Sequence, residues 1–151
     1  MPHIDKLNSL LNQLEYKLEH QQTPQVFKND LRQENLEKMH SLYERLEISQ
    51  KHKNFSTIFD YKAMNLSGIG LKIEDFAEIR QGKYVQIISI AYEVNTNGKR
   101  IPKNSSLGYY GKAEKIKPQL KNDIIEFVLR WRYEKTFQHS EHYQKLLSKL
   151  Q

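Results

Sequence analysis

The chain contains no cysteine, which excludes a disulfide framework and thiolate zinc sites and fits a reducing compartment. No apolar run approaches the roughly 20 residues that cross a bilayer as a helix. Met1-Pro2-His3-Ile4-Asp5 also lacks the basic-then-apolar layout of a signal peptide. A soluble, cytoplasmic protein with no membrane span is expected. No glycine-rich loop closes on Lys-Ser or Lys-Thr, so nucleotide hydrolysis has no visible apparatus. His3, His20, His40 and His52 are scattered, and the pair His139-x-x-His142 has no evident third ligand. Asp60, Glu74, Asp75 and Glu78 flank the two glycines Gly68 and Gly70, but nothing places two of them opposite a base or nucleophile. No catalytic residue, metal or resident cofactor is therefore assigned, and an enzyme is the class with least support. Glycine and proline are also few, six and four in 151 residues, so each is read as a deliberate turn or break.

What is present is 38% hydrophobic and 28% charged, enough for one domain with a real core and a helical appendage. The net charge of +6 is unevenly placed. Residues 1–50 hold six Lys and Arg against eight Asp and Glu, while residues 51–151 hold eighteen against ten. A basic second part suits a phosphate-bearing ligand, nucleic acid or an acidic protein face, without choosing among them.

Ile4, Leu7, Leu11, Leu14 and Leu18 alternate spacings of three and four, the seam one helix offers another. Gln21-Gln22-Thr23-Pro24 breaks it, with Thr23 suited to cap a new helix. Leu31, Leu36, Met39, Leu42, Tyr43 and Leu46 continue a helical pattern, so residues 1–50 read as a helical hairpin and a region of self-association. Gln50 to Asn54 is polar and basic and marks a boundary.

Phe55, Thr57, Phe59, Tyr61 and Ala63 alternate with more polar residues and predict a strand. It leads into Met64-Asn65-Leu66-Ser67-Gly68-Ile69-Gly70, where two glycines within three residues mark a sharp turn with close backbone approach. Lys83 to Tyr92 reads as a buried strand, Asn97-Gly98 as a hairpin turn, Pro102 to Gly108 as loop, and Tyr109 to Ile116 as a last strand. Ile124, Phe127, Val128 and Trp131 predict an amphipathic helix capped by Asn122 or Asp123; Ser140 starts another with Tyr143, Leu146, Leu147 and Leu150. The expected fold class is α+β.

The pattern Asn65-x-Ser67-x-x-Gly70 followed by Leu71-x-Ile73, then Gly82-x-x-Val85, a hairpin and a final helix, resembles the PilZ domains, small bacterial β-barrels that bind cyclic di-GMP. The resemblance spans about residues 51–135, leaving 1–50 as the helical region and 136–151 as a helical tail. It implies a PilZ-like antiparallel barrel in which Asn65, Ser67 and Gly70 face the guanine. The Arg-x-x-x-Arg pair that grips phosphates in this family is missing, since Arg45 is followed four residues later by Ser49; only Lys51 and Lys53 stand near that place. Lysine lacks arginine's planar fork. With its helical seam the chain resembles the atypical members that oligomerise and bind the dinucleotide poorly or not at all. The reading is a signalling adaptor that works by protein contact, a homo-oligomer with a further, unidentified protein partner. A genuine receptor using Lys51, Lys53 and Asn65 is the alternative. A second class is nucleic-acid binding by Arg130, Trp131, Arg132 and Tyr133 with Lys112, Lys115, Lys117 and Lys121, although Trp131 falls on the apolar stripe.

Overall fold

A computed structural model describes residues 2–19 and 24–150, with the side chains of 5–15 and 27–150. Its elements run α1 (Pro2–Glu19), α2 (Pro24–Arg45), α3 (Ile48–Lys51), β1 (Ala63–Ser67), β2 (Tyr84–Val94), β3 (Arg100–Lys112) and α4 (Pro118–Ser148), with short 3₁₀ turns between them. The class is α+β, with helices at both ends of an open, three-stranded antiparallel sheet in the order β1-β2-β3. No helix among the described residues is long and apolar enough to cross a membrane.

The chain divides into two compact units, and the division falls between Glu34 and Asn35, inside α2. In the first unit Leu7, Leu10, Leu11 and Leu14 are 47–60% exposed. The side chains of Ile4 and Leu18, and the expected break at residues 20–23, lie outside the described residues.

The second unit holds the core, because the second half of α2 supplies Met39, Leu42, Tyr43 and Leu46 to it. From α4 come Ile124, Phe127, Val128 and Trp131, at the expected helical spacing. The strands add Met64 and Leu66, Val85 and Ile87, and Leu107, all on one sheet face. That face is buried, and the alternate residues form the other face.

The predicted strand over Phe55–Ala63 is a correction: Phe55–Asp60 is a 3₁₀ helix, and β1 begins only at Ala63. The alternation set Ile58 on the polar side, whereas Ile58 is fully buried. Phe55, Ile58 and Phe59 are also spaced as a helical turn, and Asn54 decides between the two periods. Its Oδ1 accepts from Ser56 N at 3.1 Å and Ser56 Oγ at 2.7 Å, an Asx turn that starts the helix.

Pro102 to Gly108, read as loop, lies inside β3. Asn95 N donates to Lys99 O at 2.9 Å, which makes that pair hydrogen-bonded. Alternation along Val94↔Arg100, Glu93↔Ile101 and Tyr92↔Pro102 then gives Pro102 a position with its nitrogen toward the free edge, where no donor is needed. Register shifts near Leu107 and Gly111 follow; with Gly111 at φ +87°, Tyr109 points outward while Tyr110 donates to Leu46 O at 3.1 Å. The two C-terminal helices are one: α4 starts at Pro118, which suits a first helical turn, and passes Ser140 unbroken because no Gly or Pro interrupts it.

Trp131 Nε1 donates to Ile58 O at 2.9 Å in a fully buried contact that ties the 3₁₀ helix to α4. Trp131→Phe leaves that carbonyl unpaired. The expected loss is about 1–3 kcal/mol in urea denaturation, with an unchanged far-UV spectrum.

Candidate functional site

The glycine motif closes a loop on itself. Arg80 N donates to Gly68 O at 3.0 Å, Gly70 N to Glu78 O at 2.9 Å and Ala77 N to Gly70 O at 2.9 Å. Ile69 pairs with Ile79 between them. Gly68 has φ +85°, and a Cβ there would stand 2.7 Å from Tyr84 O; one on Gly70 would stand 2.2 Å from Asp75 O. Both glycines are therefore required by backbone approach inside the chain.

Asn65 is exposed at the middle of β1, and its Oδ1 accepts from Arg132 Nη2 at 3.2 Å. Ser67 Oγ donates to Tyr84 O at 2.9 Å. Ser67, Gly68, Arg80, Lys83 and Tyr84 line a cleft of about 400 Å³. Arg80 Nη2 is paired with Asp75 Oδ2 at 3.0 Å, yet its side chain stays 52% exposed. Tyr109 lies beside Tyr84 with ring centroids 5.8 Å apart. Glu114 Oε2 accepts from Gly82 N at 3.2 Å behind this turn. Two cations and a tyrosine pair around a concave backbone suit a ligand with a phosphate and a planar ring.

Asn65 and Ser67 lie on β1 and Gly70 in the turn that follows it, while Lys51 ends α3 and Lys53 follows it. These two flank His52, whose ring lies 2.6 Å from Thr57 Oγ1 and beside Tyr61, just before β1 begins. Ser67 ends the five-residue strand. The cations that reach the motif are Arg80, Lys83 and Arg132. For Arg80 and Lys83 the signal in sequence is the pair of glycine turns at Gly68 and Gly82, which folds residues 79–84 back on the motif; Arg132 comes from α4 without such a signal.

The basic cluster on α4 is largely committed. Trp131 is 2% exposed. Arg130 Nε is 2.6 Å from Glu126 Oε2, and Arg130 Nη1 donates to Asn35 Oδ1 at 3.0 Å. Arg132 Nε and Nη2 donate to Met64 O at 3.2 and 3.0 Å. An apolar hollow of about 460 Å³ beside Phe76, Ile125 and Leu129 has only the Glu126–Arg130 pair as charged lining. Among the described residues no three His, Asp or Glu side chains gather to hold a metal ion. No family model, no curated protein and no solved structure matches this chain.

Gly68→Ala is expected to cost roughly 1–2 kcal/mol for the left-handed backbone and about 1–3 more for displacing β2. Gly82 has φ +77° with no atom near the added methyl, so Gly82→Ala carries only the first cost. Urea midpoints compare the two.

Arg80 foremost, with the Lys72 N–H, holds the Asp75 carboxyl below its ordinary range. Backbone N–H groups of Glu114 and Gly82 do the same for Glu114. Both release protons more readily folded than unfolded, so their stabilisation is complete above the ordinary carboxylate range and drains away as pH falls through and below it. Asp75→Asn is expected to flatten the acid limb of a stability profile taken from about pH 6 to about pH 2.

Proposed function

We propose that this chain is a non-enzymatic bacterial signalling adaptor of the PilZ type, acting in cyclic di-GMP-linked regulation of motility, pili or surface behaviour through contact with other proteins. The observation that carries it is the exposure of apolar side chains along one stripe of α1, where Leu7, Leu10, Leu11 and Leu14 stand 47–60% open. Such a stripe is costly in water and suits a partner helix. The tail of α4 repeats the feature, with Tyr143, Leu146, Leu147 and Leu150 45–82% exposed.

The PilZ component rests on the motif and its setting. A strand ends in Asn65-x-Ser67-x-x-Gly70, the turn closes on itself, and Gly82-x-x-Val85 opens the next strand. A barrel is the finer form of the fold in this proposal; the described sheet is open. Weak or absent dinucleotide binding follows from the missing arginine pair, whose planar fork Lys51 and Lys53 cannot reproduce. A genuine receptor is the second reading, favoured by the cleft at Ser67, in which Arg80 and Lys83 supply cations the sequence pattern placed elsewhere.

Sedimentation equilibrium of the intact chain is expected to show self-association at about 10–50 μM, the range of a modest helical contact. Leu11→Asp or Leu14→Asp should return it to a monomer with unchanged helicity, because an unpaired charge in an apolar seam costs several kcal/mol, roughly 2 or more. A wild-type chain that stays monomeric throughout rules out the seam. Calorimetric titration with cyclic di-GMP should give an affinity worse than about 0.1 mM. Sub-micromolar binding abolished by Asn65→Ala would establish the receptor instead.

A further inference from the structure

The sheet has a second face, and its composition is unlike that of a surface left over from folding. Residues opposite the core alternate along β2 as Tyr84, Gln86, Ile88, Ile90 and Tyr92. Across from them stand Asn65 and Ser67 on β1, and Tyr109, Ser106 and Pro102 on β3. None belongs to the buried core. Tyr84, Tyr92 and Tyr109 are 48–53% exposed. Tyrosines kept half open on an open antiparallel sheet present ring faces to whatever approaches.

The charges on this face have one dominant sign. Arg80 and Lys83 line the cleft beside Tyr84, and Lys112 pairs across from Tyr84. Arg132 sits at Asn65, and Arg100 lies 4.3 Å over the Tyr92 ring. Two acids stand near, Asp75 paired with Arg80 and Glu114 bonded to Gly82 N; both keep their charge, and the five cations outnumber them. Glu93 alternates to the opposite face, where it pairs with Lys103 at 3.0 Å. A second copy of the same face would meet these cations with its own, so the electrostatics select an anion. From Tyr84 to Tyr92 is eight residues, about 26 Å at roughly 3.3 Å each. The tract is longer than one nucleotide and carries rings at both ends, with amide and hydroxyl side chains between.

We propose that this open sheet face binds single-stranded nucleic acid, with Tyr84 and Tyr109 stacking on bases at one end, Tyr92 at the other, and Arg80, Lys83 and Arg100 on phosphates. Stacking on aromatic rings and backbone tracking by cations is how sequence-tolerant single-strand binding is achieved, at site sizes from about 4 nucleotides upward. A duplex hides its bases, so the tyrosines discriminate against it. The proposal is independent of the adaptor reading, which rests on helical surfaces in α1 and the α4 tail.

The test is fluorescence anisotropy of the full chain with a labelled oligothymidylate of about 12 nucleotides, compared with a duplex of the same length. The single strand is expected to bind at least about tenfold tighter. Affinity should fall with salt, by a slope of about 0.7 per phosphate contacted. Tyr109→Ala and Tyr84→Ala are each expected to weaken binding about tenfold, whereas Tyr109→Phe keeps the ring and keeps the affinity. Arg80→Ala and Arg100→Ala should each lower the salt slope. Tyr143→Ala, on the α4 tail, should change nothing. Circular dichroism of each variant separates loss of contact from loss of fold. Equal affinity for duplex, no binding at about 100 μM, or indifference to Tyr109→Ala overturns the proposal. So does a self-associated mass that collapses on Tyr109→Ala, which would make the face an interface between copies.

Discussion

The second unit depends on one run of side chains in α4 that satisfies carbonyls the rest of the chain cannot. Trp131 reaches Ile58 O, Lys135 Nζ reaches Phe59 O at 2.9 Å, and Arg132 reaches Met64 O twice. A six-residue 3₁₀ helix has poor hydrogen-bond geometry of its own and leaves carbonyls pointing outward. Burial of Ile58 makes those groups expensive unless they are met. Partial burial draws the Lys135 ammonium below its usual range, which is the cost of placing a cation there. The same turn of α4 packs Trp131 and Val128 into the core, so packing and carbonyl capping reinforce one another. Because Arg132 occupies the outer edge of β1, the sheet stops at that strand.

Much of this was legible where a single periodicity dominates. The stripe Ile124, Phe127, Val128, Trp131, the strand from Tyr84 and the Asn97-Gly98 turn follow from spacing and turn chemistry alone. Phe55–Asp60 was not legible as helix, since the same residues satisfy both a period of two and a helical turn, and the choice rests on an Asn54 cap and a tryptophan far along the chain. Pro102 reads as a loop marker until the strand is known to be an edge. The helical pattern of α2 was clear, but what it packs against was not: its second half lies in the core with strands and α4. A chain beginning at Gln50 would lose Met39, Leu42, Tyr43 and Leu46 from that core.

The site divides in the same way. Glycine spacing located the turn, because close backbone approach leaves few residue types permissible. Lys51 and Lys53 were named for standing near the place of the missing arginine pair, while Arg80, Lys83 and Arg132 come to the motif through the Ile69–Ile79 bridge and through α4. The first is announced only by the glycines that flank it, and the second has no local signature.

What the sheet can recognise is narrowed by how its edges are closed. A strand edge offers unpaired N–H and C=O groups to any extended peptide. On β1 the guanidinium of Arg132 already fills Met64 O. On β3, Pro102 removes a donor from the free side, and Arg100 and Lys103 place charges near it. Strand addition is thus disfavoured at both edges. In the proposed single-strand binding, recognition falls to side chains on the open face, where Tyr84, Tyr109 and the cations around the glycine turn stand. A ligand read by side chains rather than by backbone pairing needs planar groups to stack and anionic groups to pair, and that requirement excludes an uncharged extended peptide from this surface.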